Sequence, residues 1–204
     1  MLEKKIALIT SSCRSTRLNP FITDYVRSVI ASSNLPNGIS VHTVDVKNFN
    51  LPIYNEPRVP VSLPKHDPTS YYQHETTRKW SLEIGIYDAY IFVTPQYNWS
   101  IPASLKNAID FLFHEWTGKP AGIVTYGGHG GLKAASHLQD IIRGLRMQRV
   151  STTPGLTITQ KTLDDCIKHG HLDNELIQSW IGNGSDEVIR EMWAEILQLL
   201  QLEP

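Results

Sequence analysis

Residues 11–19 combine serine and threonine hydroxyls with two arginines, Arg14 and Arg17, directly after an apolar run. Hydroxyls, exposed backbone N–H groups and a helix N-terminus can together hold a phosphate monoester, and guanidinium groups can balance its charge. The loop has neither the glycine spacing of a dinucleotide-binding turn nor the Gly-Lys-Ser/Thr of a P-loop. This chemistry suits a mononucleotide such as FMN, and an ordinary solvated turn is the alternative that the loop alone leaves open.

Two further loops have an unusual composition. The second follows a buried apolar run without a gap and offers amide and aromatic groups, namely Pro95, Gln96, Tyr97, Asn98 and Trp99. The third, residues 127–131, holds four glycines, which leave backbone N–H groups bare and let the chain approach a ligand closely. Fixed amide donors of this kind would stabilise the negative charge of a reduced flavin near N1 and O2. The alternative is a glycine-rich turn needed only for tight packing between a strand and a helix.

The elements that must position these loops alternate along the chain. Apolar runs predict strands at about 6–10, 39–46, 88–94, 119–126 and 149–153. Helical apolar spacing predicts helices at about 21–30, 69–84, 102–113 and 132–147. The alternation predicts an α/β fold, a doubly wound five-stranded parallel sheet with helices on both faces. In the flavodoxin-like strand order 2-1-3-4-5, the loops after strands 1, 3 and 4 meet at the carboxyl edge, where ligands bind in such sheets.

Two segments fall outside this alternation. Five prolines between residues 47 and 68 forbid a regular helix and predict a long surface excursion. Near the C-terminus, a strand or an extended segment is expected at 155–159, and the interval 164–183 is ambiguous. Residues 185–202 predict a helix, with Ser185 as its candidate N-cap. That helix buries its apolar face either on its own sheet or in a subunit interface.

The overall composition fits one globular domain. The chain has 204 residues and is 41% hydrophobic and 19% charged, which suits a core of ordinary size. We therefore expect a single flavodoxin-like domain over residues 1–204, with a core at about 5–154 and a C-terminal helical extension at about 155–204. Nineteen Lys and Arg residues against 20 Asp and Glu residues give a formal net charge of -1, so no global basic field exists to hold a nucleic acid.

The cellular setting is predicted from cysteine use and hydropathy. Two cysteines cannot build a disulfide framework, and the apolar run at residues 6–9 is too short for a signal-peptide core. No uncharged apolar run approaches the ~20 residues that span a bilayer. We therefore expect a cytoplasmic protein that binds neither membrane nor nucleic acid.

Three other kinds of site are not predicted. Cys166, His169 and His171 are close in sequence, but no fourth ligand stands at a spacing diagnostic of a metal site. Glu115, next to His114, is expected on an exposed helix face, which argues against carboxylate catalysis. The Gly-x-Ser-x-Gly elbow of many hydrolases is also missing from the sequence.

Residues 5–150 resemble the NADPH-dependent FMN reductase family of flavodoxin-like proteins, and especially its fungal quinone and FMN reductase members. The family's opening motif, Gly-Ser-x-Arg-x-x-Ser-x-Asn, is matched at 11–19, with Ser11 in place of glycine and Arg17 in place of serine as in the fungal variant. The second motif, Pro-x-Tyr-Asn, stands at 95–98, and Ser100 follows where a glycine is common. A third motif, Tyr-Gly-Gly-His-Gly-Gly, begins at Tyr126.

The resemblance implies a bound FMN. Its phosphate would be held by Ser12, Arg14, Arg17 and Asn19. Its isoalloxazine would be held by Pro95, Gln96, Tyr97 and Asn98. The pyrimidine edge would be near the third motif, which comprises Tyr126, Gly127, Gly128, His129, Gly130 and Gly131. Tyr97 and His129 are the candidate positioning side chains, and His129 could instead cap a backbone carbonyl.

The resemblance also implies an activity and an assembly. A hydride would pass from NADPH, with NADH as a second donor, through FMN to quinones, free flavin, azo dyes or metal ions. Because the cofactor carries the difficult step, no catalytic acid or base is assigned. The family implies a homodimer, sometimes a dimer of dimers, with the flavin near the subunit boundary.

Two alternatives to an NADPH-consuming enzyme are open. The first is an FMN-binding electron carrier or redox-responsive interaction protein with little NADPH turnover. Electron-carrier flavodoxins are strongly acidic, whereas this chain has a formal charge of -1 and arginines in its first loop, which favours the enzyme. The second is a scaffold that has lost flavin through Ser11 and Ser100.

Overall fold

The structure is a computed structural model that describes residues 3–33 and 35–201. Its strands, in chain order, are β1 (Lys4–Thr10), β2 (Ile39–Asp45), β3 (Ala89–Pro95), β4 (Pro120–Gly127), β5 (Gln148–Arg149) and β6 (Gly155–Thr157). Its helices are α1 (Asn19–Ala31), α2 (Glu75–Gly85), α3 (Ala103–Asp110), α4 (Leu132–Gly144), α5 (Gln160–His169), α6 (Asn174–Gly182) and α7 (Ser185–Gln201). No helix in this part of the chain is long and apolar enough to cross a membrane.

The strands form a sheet of order β2-β1-β3-β4-β5, in which β6 also pairs with β4. Every strand pair among the described residues is parallel. The predicted flavodoxin-like order is therefore confirmed. Because β1 and β3 are neighbours with β2 on the outer side, the strand order reverses there, and the loops after β1, β3 and β4 meet at one edge.

Helices cover both faces of the sheet because side chains of each strand alternate between two cores. Ala7 and Ile9 of β1 belong to one core, which α2, α3 and α4 cover. Ile6 and Leu8 belong to the other, which α1 and α7 cover. Since both faces are covered, β3 is buried along its whole length, as the continuous apolar run in its sequence indicates.

The edge strand is shorter than the predicted 149–153. It is divided into β5 and β6, which pair with opposite ends of β4. Between them, the backbone N–H groups of Ser151 and Thr152 donate to the Glu195 carboxylate on α7 instead of to the sheet. The carbonyl of Pro154 then accepts from Thr125 and restores the pairing. Of the two alternatives for 155–159, a strand or an extended segment, the strand is confirmed by β6 over Gly155–Thr157.

The segment between β2 and α2 is a long excursion, as its prolines predict, with short 3-10 turns. The helix expected over 69–84 starts later, at Glu75. The later start has a local cause, because the Glu56 carboxylate accepts hydrogen bonds from the N–H groups of Gln73 and His74, just before the helix begins.

The expectation that Glu115 lies on an exposed helix face was wrong. This residue is buried in the turn after α3, and its carboxylate accepts from the Ser81 hydroxyl at 2.5 Å.

After β6, the described part of the C-terminal extension contains three helices. α5 and α6 occupy most of the interval that the sequence left ambiguous. α7 packs on its own sheet, where Ile196 and Met192 lie against β4 at Gly122, so the first of the two expectations for this helix is confirmed. Ser185 is the first helical residue and not the N-cap, and its hydroxyl donates to Asn183. Leu202, the predicted end of this helix, lies outside the described residues.

Candidate functional site

A cavity of about 290 Å³ lies at the carboxyl edge of the sheet. Residues of all three loops singled out in the sequence contribute to its walls, as expected for this strand order. The C-terminal extension contributes as well. The lining residues are Arg14, Arg17, Leu18, Pro95, Gln96, Tyr97, Tyr126, Gly127, Gly128, Ile158, Thr159, Gln160 and Leu163.

The loop after β1 is held in place by two side chains of the first motif. Asn19 is fully buried, where its Oδ1 accepts from the Ser12 N–H at 2.7 Å and its Nδ2 donates to the Val93 carbonyl at 3.0 Å. The Ser12 hydroxyl is also buried and lies 2.9 Å from the Tyr97 hydroxyl. Ser12 and Asn19 are therefore brought to the edge of the site, but they are not among the cavity walls, and the Asn19 amide shapes the loop.

The same loop presents free donors. Nothing in the described part of the chain accepts a hydrogen bond from the backbone N–H groups of residues 13–17. They precede the N-terminus of α1, where the helix dipole adds positive potential. Arg14 is exposed and lines the cavity, and its guanidinium makes no hydrogen bond or ion pair within residues 3–33 and 35–201. Such a cradle fits the phosphate of a mononucleotide.

Arg17 also lines the cavity, but protein acceptors already hold its guanidinium. It forms a two-pronged ion pair with Asp45 at the end of β2, with N–O distances of 2.8 and 2.6 Å, and it donates to the Ser12 carbonyl. The hydrogen bond from Arg17 to Asp45 raises the pKa of the guanidinium despite partial burial. Asp45 is a residue that sequence reasoning missed. Its one signal in the sequence was its position as a carboxylate at the carboxyl end of β2, the strand expected beside β1.

The first residues of the second loop line the cavity, whereas Asn98 does not. Gln96 lines the cavity, and its Oε1 accepts from the N–H groups of Lys133 and Ala134 in the first turn of α4. Tyr97 also lines the cavity and begins a tight turn to Ser100, closed by reciprocal backbone hydrogen bonds of 2.9 Å. Asn98 has a φ of 47° in this turn and is exposed, so it does not reach the cavity walls.

A second, larger cavity of about 830 Å³ adjoins the turn on its other side. Tyr97 and Asn98 both border it, together with residues of α3 and α4. Ser100, which replaces a common glycine of the family motif, has a specific partner there, since its hydroxyl lies 2.7 Å from Nδ1 of His137. The exchange of glycine for serine therefore leaves the turn intact.

The two halves of the glycine run have different surroundings. Gly127 and Gly128 line the cavity. Gly130 and Gly131 are buried against the protein with φ values of 69° and 78°. A Cβ on Gly131 would lie 2.8 Å from the Thr125 Cβ, so this position needs glycine for its backbone path and its packing.

His129 is exposed and lies outside the cavity walls. Its ring makes no hydrogen bond to any described residue, so the alternative that it caps a backbone carbonyl was wrong. Tyr126 is buried, and burial holds its pKa well above the ordinary value, which keeps the phenol protonated. The described cavity walls contain no carboxylate, histidine or cysteine. This site can bind and orient a ligand through backbone, amide, guanidinium and hydroxyl groups.

Residues 158–163 are the part of the cavity that sequence reasoning missed. Thr159 is the N-cap of α5, and it forms a capping box with Thr162. A threonine followed by an apolar helical pattern was a signal for a helix start. No sequence signal placed this helix at the carboxyl edge of the sheet.

The profile of the family described as NADPH-dependent FMN reductase matches residues 4–159. The NAD(P)H-dependent FMN reductase LOT6 of Saccharomyces cerevisiae is 42% identical over 70% of this chain and 75% of the yeast protein. The NAD(P)H-dependent FMN reductase ntnL of a Nectria species is 34% identical over 97% of both chains. A more distant relative, the quinone reductase of Pseudomonas putida, is 31% identical over 59% of this chain and 58% of its own length.

Solved structures share the fold. The flavoenzyme NAD(P)H:(acceptor) oxidoreductase FerB from Paracoccus denitrificans has a TM-score of 0.64 at 20% identity, over 94% of this chain and 98% of its own. An FMN-dependent NADH-azoreductase from Bacillus anthracis, solved in complex with FMN, has a TM-score of 0.55 at 13% identity, over 95% and 100%. The family profile covers three quarters of the chain, and the two fungal relatives are 42% and 34% identical to it. This chain therefore belongs to the NADPH-dependent FMN reductase family.

Proposed function

We propose that this protein is an FMN-dependent oxidoreductase that moves two electrons from NADPH, or from NADH, to a quinone or a free flavin. The observation that carries the proposal is the cavity at the carboxyl edge. It brings Arg14 and the free N–H groups beside it together with Tyr97 and the backbone of Gly127 and Gly128. This set of groups is complementary to a phosphate carried on a flat, polar ring system.

Each group has a task in this proposal. The N–H groups of residues 13–17 and the Arg14 guanidinium bind the phosphate. Pro95 and Tyr97 border the ring, and the N–H of Gly128, which donates to no described residue, offers a donor to its polar edge. FMN, when bound, would supply the two-electron chemistry that no side chain of the cavity can supply.

The quinone and flavin acceptors are supported by the names of the relatives, which include FMN reductases and a quinone reductase. The enzyme is favoured over an electron carrier because the phosphate cradle is basic and the chain as a whole is close to neutral. Ser11 and Ser100 do not favour a scaffold without flavin, since the Ser11 hydroxyl donates to the Val93 carbonyl at 2.8 Å and fits the loop.

The assembly and the compartment belong to the proposal as well. A homodimer, or a dimer of dimers, is supported by two large apolar side chains exposed beside the site, Trp99 at 72% and Leu132 at 67%. A cytoplasmic setting is supported by free cysteines, of which Cys13 is exposed in the loop after β1, residues 11–19, here called the phosphate loop. Light scattering after gel filtration would measure the mass, and a monomer at micromolar concentration would contradict the dimer.

The decisive experiment is the visible spectrum of the purified protein, recorded without oxygen before and after addition of NADPH. We expect flavin absorption near ~450 nm that bleaches within seconds and returns when a quinone is added. NADH in a parallel cuvette gives the nucleotide preference. A bound flavin that NADPH does not bleach would support the electron carrier, and a colourless protein that takes up no added FMN would overturn the proposal.

A further inference from the structure

One wall of the cavity comes from the C-terminal extension. Ile158, Thr159, Gln160 and Leu163 line the cavity together with Arg14, Arg17 and Leu18. The family profile ends at residue 159. Helix α5, which carries Leu163, therefore lies beyond the part of the chain that the profile matches.

The chemistry of this wall is apolar. The Thr159 hydroxyl belongs to the capping box with Thr162, and the Gln160 amide donates to Asp164 one turn further along the helix at 2.9 Å. Ile158 and Leu163 are only half-buried, although both pack at the margin of the core on the α1 and α7 side. Their remaining apolar surface is available to a ligand in the cavity.

The attachment of α5 to the rest of the protein is slight. Cys166 is the one described residue of α5 that is buried. The ion pair of the helix, Lys161 with Asp165, is internal to it and joins it to no other element. A helix held by so little burial has a low free energy of local opening, so a ligand that covers Ile158 and Leu163 would change that free energy measurably.

We propose that residues 158–163 form a retaining wall for the cofactor, in which Ile158 and Leu163 pack against FMN and the docking of α5 is coupled to FMN binding. The inference rests on the proposed function, because it needs FMN in the cavity. Coupling is reciprocal, so the same contacts that slow the release of FMN must also stabilise α5. The retaining wall acts on cofactor affinity and takes no part in electron transfer.

The first test measures FMN affinity through the fluorescence that FMN loses on binding, using the full-length protein freed of flavin. Leu163→Ser removes the apolar contact, and we expect a dissociation constant about tenfold higher than that of the wild type, mostly through faster release. Ile167→Ser is the matched control, because Ile167 lies on the same helix, is 49% exposed and does not line the cavity. It should stay within twofold of the wild type.

Equal affinity of the wild type and Leu163→Ser would overturn the retaining wall while leaving the proposed function intact. A wild-type protein that binds no FMN would instead overturn the proposed function. A second test needs no variant. Hydrogen exchange of the wild type should slow at the amides of α5 when FMN is added, in parallel with the phosphate loop. Protection of the phosphate loop without any change in α5 would also refute the coupling.

Discussion

Two walls of the same cavity are built in opposite ways. The loop wall, residues 11–19, is tied into the core by buried hydrogen bonds of Asn19 and by the ion pair of Arg17 with Asp45. The helix wall, residues 158–163, is attached by one backbone hydrogen bond, from the Ile158 N–H to the Gly127 carbonyl at 3.1 Å, and by the partial burial of Ile158 and Leu163, whereas its other described hydrogen bonds are internal to α5 and its cap. The loop wall therefore has its conformation before any ligand binds, whereas the stability of the helix wall depends on the ligand that it contacts.

The difference has a physical consequence for binding. A loop whose backbone is already fixed loses little conformational entropy when a phosphate docks on it, so its charge-assisted hydrogen bonds contribute almost fully to affinity. A weakly held helix must be ordered by the ligand, which lowers its net contribution and makes it sensitive to small changes in its own stability. Substitutions in the two walls should therefore have different readouts.

The largest effect is expected from Asn19→Leu in the loop wall. The substitution leaves the buried Ser12 N–H without a partner and removes one of the two side-chain donors to the Val93 carbonyl, which should lower the free energy of unfolding by about 2–4 kcal/mol. Urea unfolding of the protein without cofactor measures it. Asn174→Leu is the matched control, because Asn174 is exposed at the start of α6. A loss below about 0.5 kcal/mol would mean that the loop wall is not fixed in advance.

Arg14→Ala should act on binding and leave the fold unchanged. Its guanidinium is exposed and unpaired within residues 3–33 and 35–201, so stability should not change, whereas a lost charge-assisted hydrogen bond to phosphate weakens FMN binding about 10- to 100-fold. Fluorescence titration measures this change. Riboflavin, which lacks the phosphate, should bind both proteins equally.

Arg27→Ala provides the control for general charge effects. Arg27 is another exposed arginine, paired only with Asp24 on the surface of α1 at 3.3 Å. Its replacement should change neither affinity nor stability. If Arg14→Ala weakened riboflavin and FMN to the same degree, the phosphate would not be at Arg14, and the loop wall would have a different ligand.

The loop wall could be predicted from the sequence because its signals are local. A strand, a hydroxyl-rich loop and a helix follow one another within residues 4–31, and a strand, a loop of other composition and a helix follow one another again within residues 89–110 and 120–144. The strand order then brings the three loops together. Fold, order and most of the cavity residues were therefore accessible without coordinates.

The contacts that determine each side chain's role could not be predicted, since they join distant positions. Arg17 meets Asp45 on β2, and Gln96 meets the first turn of α4. Asn98 and His129 match the family motifs, yet the backbone turns them away from the cavity. The helix wall was missed for the same reason, because no local pattern specifies which edge of the sheet a terminal helix approaches.

Residues 151–152, which precede β6 and the helix wall, are anchored to α7 by the Glu195 carboxylate, and the stability that this contact contributes should depend on pH. Burial alone would raise the pKa of Glu195, but hydrogen bonds from Thr152 and Ser151 outweigh burial and hold this pKa below its ordinary value. The stabilisation is complete above the unfolded pKa of about 4.3 and disappears as the pH falls through the lower folded value. Glu195→Gln should thus cost about 1 kcal/mol at neutral pH and less at about pH 3.

Urea unfolding at both pH values measures this dependence. Glu191→Gln on the exposed side of α7 is the matched control and should be neutral at both. A Glu195→Gln penalty that is the same at both pH values would show that the carboxylate charge does not anchor residues 151–152. The segment before the helix wall would then be held less firmly than the loop wall.

The smallest effect is expected from Thr159→Ala in the helix wall. It removes the capping box, in which the Thr159 hydroxyl accepts from the Thr162 N–H, at a cost of about 1 kcal/mol to α5. Because α5 opens without the rest of the protein, its amides should exchange about fivefold faster while the global urea midpoint does not move. Thr159→Ser keeps the cap and should behave as the wild type. A global loss of about 1 kcal/mol would instead make α5 part of the cooperative core, and the two walls would then differ in sequence alone and not in how they are held.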